Sequence, residues 1–245
     1  MIPKVIHYCW FGRKPLPSSA RRCIRSWKKY FPDYEIKEWN EDNFDVNAVP
    51  YIKEAYAMRR YAFVSDYARF WILFKHGGIY FDTDVEVIRP MDGIIEKGSF
   101  MGCETEAKED IPLYVAPGLG IGCEAGNPLY MDLLSIYDGL HFCDSSGKEN
   151  LKTIVQYTTE RLSSSGLRQV NEIQCLENVN IYPKEYFNPF DYESGKFVIT
   201  QNTRTIHYFA GSWKTPKERF MEFIEKHFGG KAVRFIHRMK QLLLG

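Results

Sequence analysis

The sequence predicts an α/β fold with a mostly parallel central sheet flanked by helices. Three observations carry that prediction. Short apolar runs alternate with helical patterns along the first 90 residues. The strongest helical periodicity (Phe63, Tyr67, Phe70, Trp71 and Phe74) stops at Gly77-Gly78. A new apolar run, Ile79 to Phe81, starts at once. Strand–helix–strand alternation of this kind belongs to α/β proteins with parallel strands.

The elements follow in order. Lys4 to Tyr8 reads as a buried strand, and Gly12 to Pro17 as a turn. Ala20 to Tyr30 has Ile24 and Trp27 three apart, as one helix face requires, and Pro32-Asp33 punctuates its end. Tyr34 to Trp39 alternates like a strand with one wet face. Pro50 to Ala57 is a short helix. Ala62 to His76 is the clearest helix, ended by glycine as a C-cap. Further on the pattern weakens. Phe100 to Cys103, Gly118 to Cys123, Ile181 to Phe187 and Phe197 to Thr200 read as extended. Pro128 to Tyr137 and Asn150 to Ser163 read as helices. Thr205 to Tyr208 is a late strand, and 216–227 and 231–244 are expected terminal helices. The spacing shows no repeat and no linker, so 1–245 is expected to be a single domain.

Composition narrows the function. Thirty-two Lys and Arg balance 31 Asp and Glu, a net charge of +1. That balance argues against a nucleic-acid partner. Six cysteines lack zinc-type spacing and are expected to be free thiols. The N-terminal residues lack a signal-peptide run, and no stretch reaches the ~20 apolar residues of a membrane span. A cytoplasmic location is the expectation. Phosphate-binding GxGxxG and GxxxxGK[ST] patterns, GxSxG and HExxH are all absent.

Four groups of residues carry chemistry. Asp82-Thr83-Asp84 follows the apolar strand, and residues two apart on a strand share a side. Two such carboxylates repel unless a cation sits between them, and oxygen ligands suit Mg²⁺ or Mn²⁺. The plain alternative is a solvated acidic turn. Asp66 and Arg69 are three apart on the strongest helix, so they share a face. They form a surface pair or bind a polar ligand. Trp10, just past the first strand, either stacks on a nucleobase or packs in the core. His207, in His207-Tyr208-Phe209-Ala210-Gly211-Ser212-Trp213, is a packing histidine or completes a metal site begun by Asp84.

The segments IPKVIHYCWFG, SDYARFWILFKHGGIYFDTDV and HYFAGSW together resemble the sugar-binding DXD-motif glycosyltransferases. That group includes capsular polysaccharide synthesis enzymes and yeast-type initiating α-mannosyltransferases. The large clostridial glucosylating toxins are more distant relatives. The resemblance is strong over residues 2 to 90 and thin over 100 to 200. It implies a GT-A-like fold that uses a nucleotide-diphospho-sugar and a divalent metal, Mn²⁺ or Mg²⁺. It further implies that Trp10 stacks on the base, with Tyr80 on the approach to the site. Asp66 and Arg69 would hold the donor sugar, and Asp82, Asp84 and His207 the metal. Ser212 and Trp213 would approach the diphosphate and cover the donor. Retention of the α configuration is implied, and front-face attack fits because no indispensable nucleophile is visible.

On this reading, 1–90 is the donor-nucleotide half, 100–215 the acceptor side and 216–245 a helical tail. The acceptor is a glycan or lipid-linked saccharide in surface polysaccharide synthesis. Glu104, Glu106, Asn127 and Asp191 are unranked acceptor-side candidates. The segment Lys226–Leu244 holds five basic residues and no acid. It either packs on the domain or contacts anionic lipid at the inner face of the cell membrane. Two other functions stay open: a metal-dependent sugar nucleotidyltransferase, with Phe11 to Pro17 only a faint phosphate loop, and a non-catalytic carbohydrate-binding or assembly protein.

Overall fold

A run of buried strands and helices begins at the N-terminus. β1 (Val5–Cys9), α1 (Ser18–Tyr30), β2 (Glu35–Trp39), α2 (Pro50–Ala57), α3 (Tyr61–His76) and β3 (Gly78–Tyr80) follow in order. The computed structural model describes residues 1–211 except positions 110 and 193. The chain divides into two units, Met1–Tyr208 and Phe209–Gly245, and the architecture here is that of the first. It continues through β4 (Val85–Val87), α4 (Asp92–Ile95), β5 (Phe100–Gly102), β6 (Ile121–Cys123) and α5 (Pro128–Ser135). The remaining elements are α6 (Ile154–Ser164), β7 (Gln174–Leu176), β8 (Val179–Tyr182), α7 (Lys184–Phe187), β9 (Phe190–Asp191), β10 (Lys196–Phe197) and β11 (Thr205–His207).

Seven strands form one sheet in the order β2-β1-β3-β6-β5-β8-β7. Neighbouring strand residues bury to opposite faces. Tyr80, Met101 and Ile181 join one apolar cluster with α2, α3 and α5. Ile79, Phe100 and Tyr182 join the other, with Trp27 of α1. Strands covered on both sides read as continuous apolar runs, which is why this sheet is legible in the sequence.

The sheet is mixed, which corrects the mostly parallel expectation. β1 pairs in parallel with β2 and β3, and β5 with β8. However, β6 runs antiparallel between β3 and β5, and β7 antiparallel to β8. A parallel return needs a crossover, usually a helix. Between β5 and β6 the only helical piece among the described residues is a three-residue 3₁₀ turn, Pro117–Leu119. Cys103 bridges Val115 antiparallel within this link, so the chain doubles back instead of crossing over.

Two further expectations change. The stretch expected to be extended over Ile181 to Phe187 ends as a strand at Tyr182, and Lys184–Phe187 is a helical turn started by Pro183. Val85–Val87, where the sequence predicts no element, pairs antiparallel with Thr205–His207 as a separate ribbon. The expected helices of 216–245, together with Ser212 and Trp213, lie outside the described residues. Among the described residues, no helix is long and apolar enough to cross a membrane.

Candidate active site

The strand directions bring distant residues to one edge of the sheet. β1, β3, β5 and β8 all run the same way, and β6 runs against them. The carboxyl ends of four strands and the start of β6 therefore share an edge. Trp10, Asp82, Glu104 and Lys184 follow those four ends, and Gly118 precedes β6. Ligand crevices of open α/β sheets lie at such an edge.

The two aspartates converge through a turn, not along a strand. After Tyr80 the backbone leaves the sheet, and the Val85 N–H closes the turn on the Asp82 carbonyl at 3.0 Å. α1 secures the far side. The Trp27 indole donates to the Val85 carbonyl at 2.8 Å, and the Val87 N–H donates to the Ser26 hydroxyl at 2.9 Å. The β4–β11 ribbon then delivers the histidine. His207 pairs in register with Val85, and the Tyr208 N–H donates to the Asp84 carbonyl at 3.1 Å. The His207 Nε2 lies 3.0 Å from Asp84 Oδ1. One ligand atom from each of Asp82, Asp84 and His207 falls within 4.8 Å of the others.

α3 supplies the second half of the site. Arg69 is only 4% exposed and bonds Asp66 at 2.8 Å and Asp82 at 3.2 Å. Its guanidinium also lies over the Tyr80 ring at 5.1 Å. Burial opposes that charge, but Asp82, Tyr80 and Asp66 outweigh the opposition and hold Arg69 firmly protonated. Burial pushes the Asp66 carboxyl up to about 6, against the pull of Arg69. Burial likewise raises Asp82, with Asp84 adding to it and Arg69 opposing. For His207 burial disfavours the imidazolium, yet the bond to Asp84 and the nearby acids raise it above the ordinary value.

Two of the three carboxylates thus share one permanent cation, and the third, Asp84, pairs with His207. The remaining negative charge, next to a histidine nitrogen, suits a divalent cation with mixed oxygen and nitrogen ligands. These side chains fit the metal chemistry on both charge and donor type.

Trp10 stands at the β1 end of the edge, partly buried, with its indole nitrogen donating to the Lys14 carbonyl at 2.5 Å. Its N–H bonds the Trp39 carbonyl at 2.8 Å. Tyr80 is buried, with its hydroxyl 3.2 Å from Asp82 Oδ1, so it sits behind the acidic turn and steadies it. Asn127 caps α5 through the Leu129 N–H and follows the far end of β6, at the opposite edge. Glu106 is exposed beside Lys108.

Gly118 is the residue that the sequence motifs missed. Its carbonyl accepts the Asp82 N–H at 3.2 Å. A Cβ there would overlap Asp82 Oδ2 and lie 3.1 Å from an Arg69 nitrogen. The only available signal was the Gly118-Leu119-Gly120-Ile121-Gly122 repetition, which matches no phosphate-binding pattern.

Residues 17–101 match the family model described as the glycosyltransferase sugar-binding region containing DXD motif. That segment relates the chain to the DXD-motif glycosyltransferases. The chain is 28% identical over 116 residues to inositol phosphoceramide mannosyltransferase 1 of Schizosaccharomyces pombe, covering 43% of this chain and 35% of the relative. It is 30% identical over 106 residues to the initiation-specific alpha-1,6-mannosyltransferase of Saccharomyces cerevisiae, covering 37% of this chain and 21% of the relative. The chain therefore spans well under half the length of these relatives. Among solved structures, PaToxG glycosyltransferase aligns at 22% identity and a TM-score of 0.49, covering 66% of this chain and 69% of that one. The mixed sheet flanked by helices is consistent with a GT-A-like fold.

Proposed function

We propose that the chain is a metal-dependent, retaining glycosyltransferase. It moves a hexose from a nucleotide-diphospho-sugar, UDP-linked in our reading, to a hydroxyl of a glycan or lipid-linked oligosaccharide in surface polysaccharide synthesis. One observation carries this: Asp82, Asp84 and His207 converge within 4.8 Å at the sheet edge where the Asp66–Arg69 pair also lies.

Asp82, Asp84 and His207 would hold the ion, and an imidazole among the ligands favours Mn²⁺ over Mg²⁺. When bound, the ion would supply Lewis-acid stabilisation of the negative charge on the departing nucleoside diphosphate. The chain's own residues do the rest. Arg69 favours the ionised forms of Asp66 and Asp82 and fixes both carboxylates, so the edge is organised before donor arrives. Asp66 and Arg69 orient the sugar, and Trp10 offers a ring for the base. Ser212 and Trp213 cover the donor.

The Asp66 and Asp82 carboxylates are both engaged by Arg69, at 2.8 and 3.2 Å. Neither is poised as a nucleophile, which supports front-face attack. In that route the departing phosphate oxygen takes the acceptor proton. A cytoplasmic location is part of the proposal, and peripheral contact of Lys226–Leu244 with anionic lipid is the alternative to that segment packing on the domain.

The test is a screen of single nucleotide sugars, with and without Mn²⁺. Free nucleoside diphosphate should appear only with metal and with one or two donors. The mannosyltransferase relatives are the reason to include a mannose donor beside the UDP-hexoses. Release of pyrophosphate from a sugar 1-phosphate and a nucleoside triphosphate would instead overturn the reading.

A further inference from the structure

Glu104 shares the edge with the metal cluster but is absent from every motif. It follows β5, which runs the same way as β3, so it emerges where Asp82 does. The intervening link ties the two places together. The Ala116 N–H donates to the Gly102 carbonyl at 2.9 Å, and Gly118 accepts the Asp82 N–H at 3.2 Å.

Its geometry is fixed from several sides. The Glu104 N–H donates to the Tyr114 carbonyl at 2.7 Å. Its own carbonyl accepts from the Asn188 Nδ2 at 2.9 Å, and Asn188 is fully buried. The Tyr192 hydroxyl donates to Glu104 Oε1 at 3.2 Å. The Lys184 ammonium lies 5.4 Å from the Tyr192 ring centre. Among the described residues no side chain bonds Oε2, and no Lys or Arg pairs with the carboxylate. The backbone of Glu104 is thus fixed, and Tyr192 holds one oxygen of its partly buried carboxylate while the other is open as a hydrogen-bond acceptor.

We propose that Glu104, held by Tyr192 and Asn188, is the acceptor-binding residue of this edge: its open oxygen takes a hydrogen bond from a hydroxyl of a neutral saccharide acceptor. The inference rests on the transferase reading and names the acceptor side of that same site. Glu104 orients the acceptor and abstracts no proton.

The experiment uses the full chain with Mn²⁺ and the donor found by the screen. Donor hydrolysis is measured without acceptor, and transfer is measured to methyl glycosides of neutral hexoses. In Glu104→Gln the acceptor KM should rise about tenfold, the value of one charge-assisted hydrogen bond. Hydrolysis and donor KM should stay within about twofold. Tyr192→Phe, a milder change at an exposed ring, should shift the same ratio less, and it carries the test if Glu104→Gln fails to fold. Equal loss of hydrolysis and transfer in both variants would overturn the inference, as would an unchanged acceptor KM. A wild type that hydrolyses donor but glycosylates no neutral glycoside overturns it too. A wild type that hydrolyses no nucleotide sugar instead fails the transferase reading itself.

Discussion

At the residue scale, close packing at Gly118 fixes the acidic turn beside the charges that occupy it. Gly118 leaves room for the Asp82 carboxylate and no more. Gly118→Ala should push that side chain aside, and a misplacement near 1 Å costs roughly 10²-fold in rate. Metal-dependent donor hydrolysis should fall by that order, while circular dichroism stays native. His7 makes a different point. It lies inside a segment that carries the resemblance, yet it is buried and structural. Its Nδ1 accepts the Trp39 indole N–H at 3.0 Å, so Nε2 carries the proton and donates to the Gly77 carbonyl at 3.0 Å. Burial lowers its pKa to about 4, with the Gly77 bond only partly opposing and His76 and Lys37 adding to the fall. The unfolded chain therefore binds a proton near pH 6.5 that the folded chain refuses. The stabilising contribution is complete above about pH 6.5 and is lost as pH falls toward 4, by up to ~3 kcal/mol. Urea titrations at about pH 7 and pH 4.5 should show this loss in the wild type and a smaller one in His7→Gln. Asp66, raised to about 6, works with the opposite sign over part of that window, so the difference between the two proteins is the quantity to read.

At the element scale, one corner sets the geometry. α3 ends at Gly77, and β3 starts at Gly78 with φ of +102°. A Cβ at Gly78 would lie 2.7 Å from the Val5 carbonyl and 2.9 Å from His7 Nε2. Gly78→Ala should cost about 1–3 kcal/mol in chemical denaturation, from strain and the crowded backbone together. This corner was legible because glycine after a strong apolar helix has few other readings. The DXD aspartates and the Asp66–Arg69 face were legible for a similar reason, since helical spacing and short loops keep such residues close. What stayed hidden depends on pairings between distant segments. Val85–Val87 is too short to declare itself as a strand, and it becomes one only by pairing with Thr205–His207 some 120 residues later. The reversal at β6 is equally non-local, because a three-residue strand has no periodicity that reveals its direction. Gly118 owes its role to a neighbour far away in the chain, which no local pattern encodes.

At the scale of the whole molecule, a net charge of +1 conceals an uneven distribution. Asp66 and Asp82 converge on one buried arginine at the sheet edge while Asp84 pairs with His207, and five basic residues with no acid occur in the segment Lys226–Leu244. The sheet makes that convergence possible by sending β1, β3, β5 and β8 the same way and filling the gap between β3 and β5 with the reversed β6. A half-satisfied acidic cluster is costly to keep without a cation, so the whole account turns on a metal-dependent reaction at Asp84. The decisive measurement is nucleoside diphosphate release from the preferred nucleotide sugar in Mn²⁺, compared between wild type and Asp84→Ala with both confirmed folded. The account predicts Mn²⁺-dependent release by the wild type and at least about 10²-fold slower release by the variant. Equal rates in the two proteins, or full release by the wild type in excess chelator, would contradict it.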